Sequence, residues 1–197
     1  MLTCITFDDF EQALCGPQAD YYRGRWEYYR EVIAIVQSLP IRNVLEIGPG
    51  YLPIVTEEDV LLNPEEDAFG MPASHRGKHI VHDATIKPWP IGDKQYDLAI
   101  ALQVWEHLDN KQPRAFRELM RICKRAILSF PFQWEVGEPE LPRNPQRDID
   151  RRLHRDIDRE LIADWTLRMP IAKEVIVGRT GPEYSKGPRF IGYWEFD

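Results

Sequence analysis

Residues 43–50 read Asn-Val-Leu-Glu-Ile-Gly-Pro-Gly, and this octet restricts the fold more than any other stretch of the chain. Its nearly continuous apolar run suits a strand buried on both faces, as in a parallel sheet. Gly48 and Gly50 then allow a tight turn and let a ligand approach bare backbone. In open α/β sheets ligands bind in the crevice beyond the carboxyl ends of the strands, so this turn marks a candidate site. Glu46 places a carboxylate where a cation or the loop's own N–H groups could be its partner. A phosphate-binding loop would not carry an acid there. The dinucleotide spacing G-x-G-x-x-G also fails, because its third glycine would fall on Pro53. The bland alternative is a plain strand-to-helix turn with Glu46 in solvent.

The flanking sequence alternates helix and strand patterns. Upstream, Tyr22, Trp26, Tyr29, Ile33 and Val36 recur at helical spacing, which predicts one helix from Asp20 that Pro40 ends. Strands are predicted at Asp59–Asn63, Lys78–His82, Tyr96–Leu102 and Ala126–Phe130. A helix between the last two is marked by Phe116, Leu119, Met120 and Cys123. Beyond Pro131 a proline-rich, charged stretch reads as a loop, long enough to suggest a functional role. Leu153, Ile157, Leu161 and Trp165 predict a further helix. KEVIVGR and RFIGYWEF close the chain as an antiparallel pair. The first crossover is short, since only Tyr51–Glu58 separate the glycine turn from the next strand; its helix must be trimmed or replaced by a loop. These elements predict one α/β domain over 1–197. It comprises a helical cap over 1–40, a core over 41–132, a loop over 133–150, and a closing helix with strands over 151–197.

The 197 residues are 43% hydrophobic, enough to bury a core, and the formal charge of −7 disfavours nucleic acid as a partner. Three cysteines without metal-type spacing fit free thiols in a reducing, cytoplasmic setting. Neither a secretory signal nor an apolar run of spanning length is visible, so no membrane partner is expected. No His or Cys spacing indicates a metal.

Three stretches in order, NVLEIGPG (43–50), HDATIKPWPIGDKQYDLAIALQVWEHL (82–108) and AFRELMRICKRAILSFPF (115–132), resemble successive motifs of the class I S-adenosylmethionine-dependent methyltransferases. They are most similar to the small, type 11-like methyltransferase domains whose fourth strand runs into an "EHL" triplet, and HRDIDRELIADW (154–165) resembles that family's next helix. The resemblance implies a Rossmann-like, doubly wound, mostly parallel sheet of seven or slightly fewer strands. An antiparallel C-terminal strand pair closes it. The implied cofactor is S-adenosylmethionine, with S-adenosylhomocysteine as product.

By the same resemblance Glu46, Gly48, Gly50 and Tyr51 hold the methionyl part of the cofactor. Asn63 occupies the position that usually carries a ribose-binding carboxylate. An amide offers one acceptor and two donors, so weaker ribose binding is implied unless Glu65 or Glu66 compensates. Asp83 and Ala84 match the adenine position, with the Asp opening a turn as the plainer alternative. Gln103 and Val104 end the fourth strand beside the sulfonium, and Glu106 and His107 lie just beyond.

Methyl transfer from a sulfonium needs alignment, desolvation and sometimes removal of a proton from the acceptor. His107 is the first candidate base and His154 the second. The acceptor is expected to be a small molecule methylated on O or N, in a pocket lined by Tyr21, Tyr22, Arg23 and Trp134, with Glu135 and Arg143 nearby on the loop. A homodimer is compatible with this picture. Asn63 and the short crossover motivate a different reading, a weakly active or inactive domain that binds or assembles with a partner. A nicotinamide-dependent oxidoreductase is disfavoured by Pro53.

Overall fold

A computed structural model of the chain describes residues 2–16, 19–50, 52–62, 77–134, 153–154, 156–180 and 187–196. Among them, seven strands form one sheet in the order β3-β2-β1-β4-β5-β7-β6. The strands are β1 (Val44–Ile47), β2 (Asp59–Leu62), β3 (His79–Val81), β4 (Leu98–Leu102), β5 (Arg125–Pro131), β6 (Lys173–Thr180) and β7 (Gly187–Glu195). The first five pair in parallel, whereas β7 runs antiparallel to both β5 and β6. This is the Rossmann-like fold with an antiparallel closing pair that the family resemblance implied. All four residues of β1 and all five of β4 are buried, which explains why both read as unbroken apolar runs.

Helices cover both faces. Leu45, Ile47, Ala99 and Ala101 pack toward α4 (Gln112–Ile122) and α5 (Arg159–Trp165). Val44, Leu98, Ile100 and Leu102 pack toward α1 (Phe7–Ala13), α2 (Ala19–Tyr22) and α3 (Trp26–Ser38). The α4 stripe is Ala115, Phe116, Leu119 and Ile122, with Met120 half-buried at its margin. Each fully buried side chain of the size of Phe116 or Leu119 contributes about 1.5–3 kcal/mol. Arg121 in the last turn of α4 pins the β3–β4 connection, donating to the carbonyls of Ile91 (2.7 Å) and Trp89 (3.1 Å). Glu118 adds to the clamp by accepting from Trp89 N.

Two local expectations are corrected, and one element is added. The single helix from Asp20 is two, because Gly24 adopts a left-handed φ of 75° and breaks it. The helix expected from Leu153 is not continuous: Leu153 is helical, but α5 begins at Arg159, where Asp158 caps it by accepting from Leu161 N. The N-terminus also contains α1, entered through a capping box between Thr6 and Asp9 that the hydrophobic period does not reveal.

The trimmed first crossover is real: the described residues between β1 and β2 contain no helix. The N-terminal strand segment takes its place, with Cys4 bridging Val55, Ile5 N donating to Ile54 O, and Thr56 N donating to Thr3 O. Among the described residues no helix is long and apolar enough to cross a membrane.

Candidate functional site

Parallel pairing sets Ile47 of β1 beside Ala101 of β4 and beside Leu61 of β2, so the chain leaves these strands along one edge of the sheet. At that edge Gly48 and Gly50 both take left-handed φ values, 56° and 64°. Side chains disfavour such values, which leaves bare backbone at the turn. Gly48 N donates to Leu61 O and ties the turn to the end of β2. Below it, the Tyr22 hydroxyl accepts from Leu52 N at 2.9 Å and would lie 3.4 Å from a Cβ on Gly50. Tyr22 is fully buried, so it supports the glycine turn instead of lining a pocket as expected. Arg23, one residue on, is exposed at the end of α2. The Tyr21 side chain, Tyr51, Asn63, Glu65, Glu66, Glu135 and Arg143 lie outside the described residues.

Glu46 does not sit in solvent. It is 1% exposed and accepts from Ile54 N at 2.8 Å. Buried Glu58 lies close enough for the two carboxyls to influence one another. Burial pushes both well above the usual carboxylate range, and the Glu46 charge raises Glu58 further. Glu46 is therefore a protonatable latch under the loop, holding the crossover rather than presenting a charge to a ligand.

Along the same edge, Asp83 is half-exposed after β3 and accepts from Thr85 N at 2.8 Å, which holds its carboxyl below the usual range. Its turn-forming role is thus visible directly. Ala84 O accepts from the Trp89 indole at 3.1 Å. At the end of β4, Gln103 adopts a left-handed φ of 59° and donates to Ser129 Oγ on β5 at 3.1 Å. A non-glycine residue in that region marks a turn that the surrounding structure enforces. Val104, half-buried, leads into a 3₁₀ turn over Trp105–His107.

That turn delivers Glu106 inward and His107 outward, and His154 meets them from the segment before α5. The His107 and His154 rings stand edge to face with centroids 5.4 Å apart, and His154 meets Trp134 likewise at 5.2 Å. The Trp134 indole donates to Pro188 O at 2.7 Å, while the Arg189 guanidinium lies over its ring at 4.8 Å. Burial raises the pKa of Glu106, partly offset by the charges of His107, Arg189 and Arg25. Burial also pushes His154 down to about 3, reinforced by the same cations. An imidazole so acidified holds a proton poorly, which weakens His154 as a general base. The two histidines singled out in the sequence are thus brought together with Trp134. Glu106, Arg25 and Arg189 join them.

Residues 62–126 match the family model described as "Methyltransferase domain". No curated protein matches the chain. Among solved structures, the methyltransferase domain of bacterial CtHen1 aligns with a TM-score of 0.59 at 14% identity, covering 88% of this chain and 100% of that one. A SAM-dependent methyltransferase from Methanosarcina mazei aligns with a TM-score of 0.60 at 13% identity, covering 83% and 96%. Magnesium protoporphyrin IX methyltransferase from Synechocystis, solved with bound SAH, aligns at 0.55 and 14% identity, covering 97% and 94%. At these identities the likeness establishes the fold.

Proposed function

We propose that this chain, a class I S-adenosylmethionine-dependent methyltransferase by its fold and by the match of residues 62–126, transfers a methyl group to an O or N atom of a small-molecule acceptor. The observation that carries the reading is the side-by-side placement of two left-handed turns on one sheet edge. Gly48 and Gly50 follow β1, Gln103 follows the neighbouring β4, and parallel register joins the strands.

These residues fit the cofactor. The glycine turn is bare, and a Cβ at Gly50 would come within 3.4 Å of the Tyr22 hydroxyl. S-adenosylmethionine, when bound, supplies an electrophilic methyl on a sulfonium. Gly48 and Gly50 would hold its methionyl end, with Glu46 fixing the turn from below. Asp83 and Ala84 would meet the adenine, and Gln103 and Val104 would flank the sulfur. His107, exposed at the same end of β4, would take the proton from an acceptor hydroxyl or amine. His154, Trp134 and Glu106 would form the floor of the acceptor pocket and limit water. The chain's net charge of −7 supports a small acceptor over a nucleic acid.

Calorimetric titration with S-adenosylhomocysteine, with NAD as control, tests the reading. Saturable binding at micromolar strength with NAD silent is the expected result. A folded protein that leaves S-adenosylhomocysteine unbound would overturn it.

A further inference from the structure

The cluster beyond β4 has a geometry that hydrogen bonding among the described residues does not explain. Glu106 is 2% exposed, and both of its carboxylate oxygens are buried without a hydrogen-bond partner among the described residues. The same holds for Nε2 of His154. Leaving a buried carboxylate unsatisfied is costly, so something outside this set of contacts must complete it. Glu106 Oε1 and His154 Nε2 are 3.7 Å apart, too far for a hydrogen bond. Two donors each about 2.1 Å from one tetrahedral ion lie about 3.4 Å apart, close to the spacing found. One ligand-type atom from each of Glu106, His107 and His154 falls within 4.8 Å of the others.

From this arrangement we infer that Glu106, His107 and His154 form a divalent metal site of the first-row transition class, such as Zn²⁺, Mn²⁺ or Co²⁺. Two imidazoles and one carboxylate are a donor set for these ions rather than for Mg²⁺ or Ca²⁺, which favour all-oxygen shells. Three protein ligands leave coordination positions open, as in metal sites that take a water or a substrate atom. His107 is exposed while Glu106 is buried and His154 is partly sheltered, so the site is reached from the His107 side. The Trp134 ring edge against His154, itself fixed through Pro188 O, orients that imidazole. Arg25 and Arg189 lie near enough to act on Glu106 electrostatically. They set an electrostatic cost that a metal must exceed.

Resting on the function proposed above, the open position would take the acceptor's oxygen or nitrogen, and His107 would then serve as a ligand instead of as the proton acceptor. The metal site itself does not depend on that reading, and its test is made separate from it. The full chain, stripped with chelator, is titrated with CoCl₂ by visible absorption and with ZnCl₂ and MnCl₂ by calorimetry. Binding of one ion per chain is expected, with Co²⁺ bands characteristic of mixed nitrogen and oxygen coordination. His107→Ala and His154→Ala should each weaken binding at least tenfold, and His79→Ala should leave it unchanged. His107 is exposed, so its variant tests the site without threatening the fold; circular dichroism confirms this for each protein. Failure of the folded wild type to take up one ion, or equal uptake by the His107→Ala/His154→Ala double variant, would overturn the site. S-adenosylhomocysteine binding by the metal-free protein is measured in parallel, so that loss of one reading is not mistaken for loss of the other.

Discussion

Glu46 and Glu106 are both buried acids, 1% and 2% exposed, at the ends of neighbouring parallel strands, and burial raises both pKa values. Their surroundings differ. Glu46 is bonded to Ile54 N and faces a second carboxyl, Glu58, whereas Glu106 has no hydrogen-bond partner among the described residues and faces two imidazoles. One acid is completed by the fold and shapes the backbone of the glycine turn. The other is presented by the fold and left for a ligand to complete. A buried polar group is therefore read by what satisfies it, more than by how deeply it is buried.

The largest expected effect falls on the second region. A Cβ on Gly187 would meet the Trp134 ring at 2.0 Å, and Trp134 is the residue that packs His154. Gly187→Ala must displace that ring, at a cost of roughly 3 kcal/mol by the scale of overpacking in cores. Chemical denaturation should show this loss, and Co²⁺ uptake should fall with it, while S-adenosylhomocysteine affinity changes little. Equal loss of both ligands would dissolve the distinction between the regions.

The next effect is a pH dependence whose sign differs between the two regions. Glu46 and Glu58 have folded pKa values raised above the ordinary 4.5. The native state therefore binds more protons than the unfolded chain, and stability is fully present below pH 4.5 and is lost as pH rises through neutrality. Glu58→Gln removes the like charge and keeps a polar group beside Glu46. It should stabilise the protein by on the order of 1–2 kcal/mol at pH 8 and by little at pH 5, measured as unfolding midpoints in urea. His154 has the opposite sign, since its pKa is depressed; its contribution is present above pH 6.5 and is lost as pH falls toward 3. A flat difference between Glu58→Gln and wild type across pH 5–8 would mean that the two carboxyls do not share a proton.

How much of this was visible in the chain follows from the range of each interaction. β1, β4, β5 and α4 announce themselves because their burial repeats within a few residues, and the octet's glycines do take the left-handed conformations that a tight turn requires. Gly24 was inside a convincing helical stripe, yet its conformational freedom prevailed over the apolar period. Glu46 was legible as a special acid but not as half of a pair, because Glu58 reaches it only through the crossover that folds back between β1 and β2. The meeting of Glu106 with His154 was least legible. It depends on the sheet order and on the proline-rich connection between β5 and α5, and no local periodicity encodes either.

The smallest effect sharpens the comparison most cleanly, because it removes one atom. Tyr22→Phe deletes the hydroxyl that accepts from Leu52 N and underlies Gly50, while the ring keeps its packing against Phe10 and Tyr29. Loss of one such bond costs about 1 kcal/mol, partly as an unsatisfied N–H at the turn. Because the bond acts on the glycine turn, S-adenosylhomocysteine affinity should drop several-fold, and Co²⁺ uptake at Glu106, His107 and His154 should stay at the wild-type value. A Tyr22→Phe protein that is less stable but binds S-adenosylhomocysteine as tightly as wild type would make Tyr22 a core residue alone. The turn would then owe its shape to Gly48, Gly50 and the Glu46 latch without help from α2.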